Sequence, residues 1–276
     1  MARSSLPRVA DVTDRVADVG DGPIPDGPIL WLVRHGESTW NTLGLAQGHC
    51  DQARLTRLGL RQAWAVAARL RDRPVGALYV SDLRRARQTA APLAEALGLV
   101  VTRDARLRER CLGVLEGAAT AAIGPAASGL AGERVVDPDA RPDGGESLRD
   151  FYRRVAGFAD ELAAGLSAGP GRAMGAERAG EIVVVAHGGT LRMLNAYLRG
   201  IPVERMRWEP LTNGCILRSP AGWQARLRAP IANPDEKSDR FALAVAGRQA
   251  APDRLDNGHR RRYPGRALRR PRHVGR

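Results

Sequence analysis

The chain has 276 residues, of which 43% are hydrophobic, and this length and composition suit one large domain or two small ones with a buried core. It has no uninterrupted apolar run of about 18 residues, and its first residues carry acids where a signal peptide would have an apolar centre. These features exclude wholesale disorder and predict a cytoplasmic protein, and apart from its C-terminal tail we expect no contact with membranes.

The formal net charge of +13 is distributed unevenly along the chain. From Gly258 to the C-terminus the sequence has eight arginines and no acidic residue, which leaves a net charge of only +5 for everything before. We predict that residues 229–276 form a disordered, arginine-rich tail. Three interpretations of this tail stay open: an unselected extension, a weak polyanion-binding arm, or a membrane-surface anchor. Apart from weak binding by the tail, we do not expect nucleic acid as a partner.

The three cysteines, Cys50, Cys111 and Cys215, are widely spaced and form no Cys-x-x-Cys pair. Neither a disulfide framework nor a thiolate zinc site is supported, and we expect each cysteine to be a small buried apolar residue. The sequence has no His-x-x-x-His pair either, so it predicts neither a metal nor another cofactor.

The predicted elements begin after a leader. Residues 1–28 mix Asp, Arg, Gly and Pro without apolar periodicity, which predicts a disordered segment. The apolar run that starts at Ile29 predicts a buried strand. Helical periodicity and short apolar runs, with stop signals at Pro74 and Gly98, then predict a helix, a strand, a helix and a strand at 56–72, 77–80, 82–97 and 99–102.

The second half of the predicted domain starts with residues 118–145, which are rich in Ala, Gly and Pro and predict an irregular insertion. A helix with an apolar face follows Glu146, and a loop spans residues 167–180. The remaining predictions are an apolar strand at 182–186, a tight turn at 187–189, a helix capped by Thr190 that runs to about Arg199, and strands at 213–218 and 223–227. We expect Trp64, Trp208 and Trp223 in the core.

These elements alternate between strands and helices. Alternation with short apolar strands predicts an α/β layered fold with a mainly parallel sheet. We therefore expect a single folded domain over residues 29–228.

Two histidines occupy matching positions in this pattern. His35 and His187 each follow a buried apolar strand and precede a glycine. Because the carboxyl ends of parallel strands line one crevice, we expect both imidazoles in a single site. Arg34 precedes His35, and Arg85 lies near the start of the helix after the second strand. Guanidinium groups bind phosphate oxygens bidentately, so phosphate is the expected ligand. A hydrogen-bonded structural role is the alternative for either histidine alone.

These residues are part of a longer series of ordered motifs. The series comprises Arg34-His35-Gly36-Glu37-Ser38-Thr39-Trp40-Asn41, Gln47-Gly48 with Leu55-Thr56 and Gly59, Ser81-Asp82-Leu83-Arg84-Arg85-Ala86, Leu107-Arg108-Glu109 with Glu116-Gly117, Gly144-Gly145-Glu146-Ser147, and Val185-Ala186-His187-Gly188-Gly189. Over about residues 29–218 the chain resembles the histidine phosphatase superfamily, in its phosphoglycerate mutase-like branch. The resemblance implies a three-layer α/β/α sandwich with a mainly parallel central sheet.

The resemblance also implies roles for individual residues. His35 would be the nucleophile, forming a phosphohistidine that water then hydrolyses. Arg34, Arg85 and His187 would surround the phosphoryl oxygens, with no metal ion. Glu109 matches the proton donor of the family, and Glu116 is its local competitor.

Further positions match the phosphate pocket of the family. The resemblance implies that Asn41, Gln47 and Gly48 line this pocket, and that the backbone N–H of Gly188 donates to an oxyanion there. Asn41 could equally be a turn residue. The insertion at 118–145 would lie over this active site.

Hydrolases and mutases of this family share the first half-reaction. The motif around Gln47-Gly48 resembles the phosphatase branch more closely, and residues 118–145 contain only Arg134 and Arg141 as bases, whereas mutases usually carry a longer basic insertion. We therefore predict a metal-independent phosphomonoester hydrolase that acts on a small phosphorylated metabolite. The alternatives are a phosphoglycerate mutase and a non-catalytic phosphate-binding scaffold. A homodimer is left open.

Overall fold

The computed structural model describes residues 28–167 and 180–228. Its strands, in chain order, are β1 (Leu30–Arg34), β2 (Val75–Val80), β3 (Val101–Arg103), β4 (Leu130–Ala131), β5 (Arg134–Val135), β6 (Glu181–Ala186) and β7 (Ile216–Arg218). Five of them form the central sheet, in the order β3-β2-β6-β1-β7. The strand β7 runs antiparallel to β1, and the other neighbouring pairs of this sheet are parallel. The predicted mainly parallel sheet is confirmed.

The helices, in chain order, are α1 (Thr39–Thr42), α2 (Arg57–Leu70), α3 (Arg84–Leu97), α4 (Pro125–Ser128), α5 (Leu148–Ser167), α6 (Gly188–Leu198) and α7 (Trp223–Arg228). The helix α2 begins at the predicted cap, because the Thr56 hydroxyl accepts the N–H of Gly59 at 3.0 Å. The helix α3 ends at Gly98, which takes the left-handed conformation with φ of 63°. Local capping chemistry therefore sets these two boundaries.

Alternate residues of the central strands face two separate hydrophobic cores. Leu30 and Leu32 of β1 pack in the core that includes α5 and α6, whereas Val33 packs in the core that includes α2 and α3. The apolar residues of β6 alternate between the two cores in the same way, and all six residues of this strand are buried. Helices therefore cover both faces of the sheet, and the predicted three-layer α/β/α sandwich is confirmed.

The segment at the C-terminal end of the domain differs from the prediction. Only Ile216–Arg218 of the predicted strand 213–218 is a strand, and the predicted strand at 223–227 is the helix α7. Trp223 is 2% exposed and Leu227, four residues later, packs on the same core, which is helical spacing. The Trp223 Nε1 donates to the carbonyl of Pro28 at 2.9 Å, which ties α7 to the segment before β1.

The helix α6 begins three residues earlier than predicted. His187 has an extended backbone and is its N-cap, so Gly188 and Gly189 form the first helical turn instead of a separate tight turn. Thr190 does not cap the helix, because its hydroxyl donates to the carbonyl of Arg108 at 2.9 Å. The first backbone N–H groups of α6 therefore lie directly after His187.

The insertion at 118–145 has more structure than the irregular segment predicted from its composition. It contains a single helical turn at 120–122, the short helix α4 and the paired strands β4 and β5. Arg110 donates to the carbonyls of Ser128 at 2.5 Å and Ala140 at 2.8 Å, and the N–H of Trp208 donates to the carbonyl of Glu133 at 2.7 Å. Backbone acceptors thus hold a segment that has few apolar side chains.

Several burial expectations are wrong. Each of the three cysteines is half-buried and none belongs to either core. Trp64 is 53% exposed because it lies on the outer face of α2, and Trp208 is half-buried. Periodicity placed Trp64 on the correct helix, but it did not show that no neighbouring element of the described chain covers this position.

Some sequence predictions lie outside the described residues. These are the disordered leader over residues 1–27, the loop over residues 168–179, and the arginine-rich tail over residues 229–276. Across the part of the chain that is described, no helix combines the length and apolar character required to cross a bilayer.

Candidate active site

The two predicted histidines meet at the carboxyl ends of adjacent parallel strands. Arg34 pairs with Ala186 in the register of β1 and β6, so the next residue of each strand, His35 and His187, emerges at the same edge. His35 is 3% exposed and His187 is fully buried. Their ring centroids are 5.2 Å apart with an interplanar angle of 61°. The structure therefore brings both imidazoles into one site.

Hydrogen bonding assigns the ring nitrogens of His35. Its Nδ1 lies 2.7 Å from the carbonyl oxygen of Gly36, which can only accept, so Nδ1 carries the hydrogen. In the neutral ring, Nε2 then keeps its lone pair. Burial, followed by the charges of Arg85 and Arg34, lowers the pKa of His35 well below its ordinary value of 6.5. His35 is therefore neutral at pH 7, and Nε2 carries the lone pair of the ring.

Arg85 and Ser81 fix the opposite tautomer in His187. Arg85 Nε donates to His187 Nδ1 at 3.2 Å, so Nε2 carries the hydrogen of the neutral ring and donates to Ser81 Oγ at 2.8 Å. Burial and the Arg85 charge lower the pKa of His187 well below 6.5. The Arg85 guanidinium also donates to the carbonyls of Cys50 and Gly48, each at 2.9 Å. Burial lowers its pKa to about 10, so Arg85 remains charged.

Arg34 lies against the first turn of α6. Its NH1 donates to the carbonyl of Leu211, and its buried Nε has no hydrogen-bond partner among the residues that the structure describes. A Cβ on Gly188 would lie 3.4 Å from this Nε. Burial lowers the pKa of Arg34, and the Glu109 charge opposes that shift. An unpartnered guanidinium N–H beside a helix N-terminus is suited to an anion.

Glu109, and not its competitor Glu116, lies beside α6. Glu109 Oε2 accepts the N–H of Gly189 at 2.9 Å. A Cβ on Gly189 would lie 2.1 Å from Glu109 Oε1, so this approach requires glycine. Glu116 Oε1 instead accepts the backbone N–H of His49 at 2.8 Å and thereby holds a loop. The two carboxylates therefore have different surroundings, although both fit the motif.

A half-buried ion pair supports the backbone that carries Glu109. Arg154 makes two hydrogen bonds, at 2.7 and 2.8 Å, to the carboxylate of Glu146. The same guanidinium donates to the carbonyls of Arg106 at 2.7 Å and Glu109 at 3.0 Å. His49 Nε2 lies 2.8 Å from the Glu109 carbonyl and also holds it. Glu109 therefore lies on a segment with little freedom to move.

The loop after His35 packs backbone to backbone on the start of α2. A Cβ on Gly36 would lie 2.3 Å from the carbonyl oxygen of Gly59, and a Cβ on Gly59 would lie 2.0 Å from that of Glu37. The N–H of Gly36 also donates to Thr89 Oγ1 at 3.0 Å. These contacts leave no room for a side chain at either glycine, and they fix the position of the loop that follows His35.

The predicted pocket-lining amides belong to one polar cluster. Asn41 Oδ1 accepts the N–H of Ser38 at 3.1 Å in the capping box of α1, so the structure shows its role in a turn. Ser38 Oγ lies 3.0 Å from Gln47 Oε1. Asn213 Nδ2 donates to the carbonyl of His35 at 3.1 Å and lies 3.2 Å from Asn41 Oδ1. Contact of Asn41, Gln47 and Gly48 with a phosphate stays a prediction.

Sequence reasoning assigned no role to several residues of this site. Ser81 directly follows β2, whose carboxyl end adjoins that of β6, so the rule that located the histidines could have found it. Arg192 is four residues after Gly188 on α6, and helical spacing places them on one face. Asn213 and Arg154 reach the site only through tertiary packing, and no local pattern indicates them.

The charges of the site favour an anion over a cation. Within the described ranges, no group of three or more His, Cys, Asp or Glu side chains is arranged to hold a metal ion. Arg34 and Arg85, by contrast, lie with their charges close enough to lower the pKa of His35. This arrangement is suited to an anionic group and places a neutral imidazole beside it, and phosphoryl transfer to histidine requires both features.

Comparison with known proteins agrees with that class. The model of the histidine phosphatase superfamily (branch 1) matches residues 30–220. The chain therefore belongs to this superfamily. A curated relative from Yersinia pestis (strain Pestoides F), named probable phosphoglycerate mutase GpmB, is 35% identical over 209 residues, which are 73% of this chain and 95% of the relative.

Solved structures of similar proteins carry hydrolase names. One is described as mycobacterial hydrolase 1; it is 36% identical, has a TM-score of 0.58, and the match covers 69% of this chain and 90% of that chain. Another is a mycobacterial glucosyl-3-phosphoglycerate phosphatase in complex with VO3. It is 35% identical with a TM-score of 0.58, and the match covers 70% of this chain and 90% of the other.

Proposed function

We propose that this protein is a metal-independent phosphomonoester hydrolase that acts through a phosphohistidine at His35. The observation that carries the proposal is the state of His35: its Nδ1 hydrogen is held by Gly36, its Nε2 lone pair is left for substrate, and two guanidiniums adjoin it. A neutral imidazole with a defined nucleophilic atom, beside buried positive charge, suits attack on a phosphoryl group.

The reaction then has two displacements. In the first, His35 Nε2 attacks phosphorus, the ester P–O bond breaks, and Glu109 donates its proton to the leaving alkoxide. In the second, water attacks phosphorus, the P–N bond breaks, and Glu109 accepts a proton from the water. Glu109 is suited to both proton transfers because it is held at the N-terminus of α6, beside the proposed phosphate pocket.

The surrounding donors stabilise charge on the transferring phosphoryl oxygens. Arg85 uses three of its N–H groups on His187, Cys50 and Gly48, and a guanidinium has five, so two remain for the substrate. The unpartnered Nε of Arg34 and the backbone N–H of Gly188 supply further donors. His187 adjoins the His35 ring and completes the pocket, with Asn41, Gln47 and Gly48 at its margin.

The charges of the insertion favour hydrolysis over transfer to a second substrate hydroxyl. Arg141 is paired with Asp150, and Arg134 is exposed on the short strand β5. The insertion therefore offers no uncompensated buried base to a second phosphorylated substrate. The hydrolase and phosphatase names of similar structures support the same choice. The mutase remains the second candidate, because curated relatives carry that name.

The test is release of inorganic phosphate from a panel of phosphomonoesters in the presence of EDTA, comparing the wild type with His35→Ala. We expect EDTA-resistant turnover that the substitution abolishes. A folded wild type that releases phosphate no faster than His35→Ala from every ester would refute the hydrolase, and isomerisation of phosphoglycerate would then be assayed. Loss of turnover with EDTA and its return with added metal would refute metal independence.

Two further expectations accompany this proposal. The partner is a small phosphorylated metabolite, which the same ester panel identifies. A cytoplasmic location stays a prediction, and cell fractionation tests it. The oligomeric state is measured by light scattering on the full chain.

A further inference from the structure

A third guanidinium, that of Arg192, lies beside the proposed phosphate pocket. Side chains of an α-helix tilt toward its N-terminus, so Arg192 extends back along α6 toward Gly188. Its NH1 lies 3.0 Å from the point where a Cβ on Gly188 would sit, and Arg34 Nε lies 3.4 Å from the same point. Arg192 therefore adjoins the outer side of Arg34 at the start of the helix.

Stacking on an aromatic ring and one hydrogen bond hold the guanidinium of Arg192, and its two terminal nitrogens are left for other contacts. The guanidinium carbon lies 5.0 Å from the ring centre of Trp208, and Nε donates to the carbonyl of Glu209 at 2.6 Å. Neither NH1 nor NH2 has a hydrogen-bond partner in the described part of the chain. Burial lowers the pKa of Arg192, Glu109 opposes this, and Arg34 lowers it further. A guanidinium held in this way presents N–H groups to a ligand.

The phosphoryl group of the reaction does not balance the charge of Arg192, which is offset in part by the Glu209 carboxylate. Glu109 must be protonated to act as the acid in the first step, so three guanidiniums then face a phosphate dianion. The two that lower the pKa of His35 are Arg85 and Arg34, and these two balance the phosphoryl group. Arg192 is the third guanidinium, and its NH1 lies at Gly188, beside Arg34.

We propose that Arg192 forms a second anion subsite, which selects phosphomonoesters that carry a further oxyanion, a carboxylate or a second phosphate, on the same carbon skeleton. The subsite rests on the proposed phosphatase function and names the class of its substrate. The planar edge of a guanidinium binds either oxyanion bidentately, and stacking on Trp208 keeps that edge oriented.

The insertion at 118–145 contacts the segment that carries Trp208. The N–H of Trp208 donates to the carbonyl of Glu133 at 2.7 Å, and Arg134 and Arg207 form a β-bridge next to it. The insertion thus supports the aromatic ring on which Arg192 stacks. Trp208 is a positioning residue in this arrangement, because it acts on the ligand only through Arg192.

The test compares esters that differ only in the second anion. One pair is 3-phosphoglycerate and glycerol 3-phosphate, in which a carboxylate replaces a hydroxymethyl group. The other pair is fructose 1,6-bisphosphate and fructose 6-phosphate, which reports on a second phosphate. For each pair, kcat/KM is measured for the wild type, Arg192→Gln, Arg192→Lys and Arg199→Gln. Arg199 is exposed at the other end of α6, so its substitution removes the same charge at a distance.

We expect the wild type to prefer the charged member of at least one pair, and that pair identifies the second oxyanion. Loss of charge-assisted hydrogen bonds in Arg192→Gln should reduce this preference by about tenfold to a hundredfold. Arg192→Lys should restore part of the preference, and Arg199→Gln should keep all of it. The subsite is refuted if Arg192→Gln lowers kcat/KM equally for both members of each pair, or if the wild type has no preference.

A failure of the phosphatase is distinguishable from a failure of the subsite. If the wild type hydrolyses no ester, calorimetry measures binding of 3-phosphoglycerate, glycerol 3-phosphate and the two fructose phosphates to the wild type and to Arg192→Gln. A substitution that weakens binding of the charged members alone then supports the subsite without catalysis. Equal binding of all four esters by both proteins refutes it.

Discussion

The two histidine positions are alike in sequence and opposite in chemistry. Each histidine follows one of two adjacent parallel strands, precedes a glycine and is buried. The carbonyl of Gly36 holds the Nδ1 hydrogen of His35 and leaves Nε2 as an acceptor, whereas Arg85 donates to Nδ1 of His187 and leaves Nε2 as a donor. Strand position therefore brings an imidazole to the site, and its hydrogen-bond partners decide what the ring can do.

The largest expected effect distinguishes the roles of the two histidines, and it is measured by trapping the phosphoenzyme. His35→Asn removes the proposed nucleophile and should reduce turnover by at least about 10⁴-fold, with no phosphoprotein after a quench in alkaline detergent, which preserves the acid-labile P–N bond. His187→Asn should reduce turnover by about 10²- to 10³-fold yet still form the phosphoenzyme, because it removes only a stabilising group. Equal labelling of wild type and His35→Asn would reverse the assignment of the two histidines.

The next effect comes from the arginine that defines the His187 tautomer. Arg85→Lys keeps the charge but cannot reproduce hydrogen bonds to His187, Cys50 and Gly48 together. We expect kcat to fall by about 10²-fold or more. Arg84→Lys, the same change at the exposed neighbouring residue, is the matched control and should leave kcat within about twofold. Equal losses in the two variants would show that Arg85 has no special role.

Substitution of Ser81 should have a smaller effect on kcat, and it tests whether this hydrogen-bond partner acts through the His187 ring. Ser81 is fully buried and accepts from His187 Nε2, so Ser81→Ala should lower kcat by about tenfold. If Ser81 acts through the ring, Ser81→Ala adds little in a His187→Asn background, which a double-mutant cycle measures. Fully additive effects would show that the two residues act independently.

The smallest effect is on stability as the pH falls. Both histidines have pKa values lowered well below 6.5 in the folded protein, so below that pH the unfolded chain binds more protons than the folded one. Stability is therefore retained above pH 6.5 and should decrease below it by up to about 1.4 kcal/mol per pH unit for each histidine. Urea unfolding at pH 7, 6 and 5 measures this slope.

The control for the pH dependence is the His35→Asn, His187→Asn double variant, in which these two protonation sites are absent. Its unfolding free energy should depend less on pH over the same range. For the same reason, kcat/KM of the wild type should show no protonation step of either histidine near pH 6.5. A slope in the double variant as steep as in the wild type would contradict the lowered pKa values.

The fold was largely predictable because its signals are local. The helix α2 begins at a Thr56 cap, α3 ends at a glycine, and β6 is apolar throughout because both of its faces are buried. The predicted strand at 223–227 was wrong because five residues are too few to separate helical from strand spacing. Only packing against α5 and α6 makes Trp223 and Leu227 one helical face.

The site was predictable only in part. His35, His187 and Arg34 lie at or directly after strand ends, and Glu109 was identified through the family resemblance; the structure brings these residues together. The hydrogen bonds that set the tautomers involve Gly36, Arg85 and Ser81, and their geometry is a property of the folded chain. The choice between Glu109 and Glu116 likewise depends on which carboxylate reaches the N–H of Gly189, and that requires coordinates.

The close contact between Gly36, Gly59 and Glu37 limits how this protein can be engineered. Gly59 lies in the first turn of a helix, where replacement by alanine ordinarily raises thermostability by up to about 1 kcal/mol. Here the added methyl group would lie 2.0 Å from the Glu37 carbonyl oxygen and would push α2 away from the loop that follows His35. A design program guided by helix propensity alone would therefore select a substitution that displaces the loop after His35.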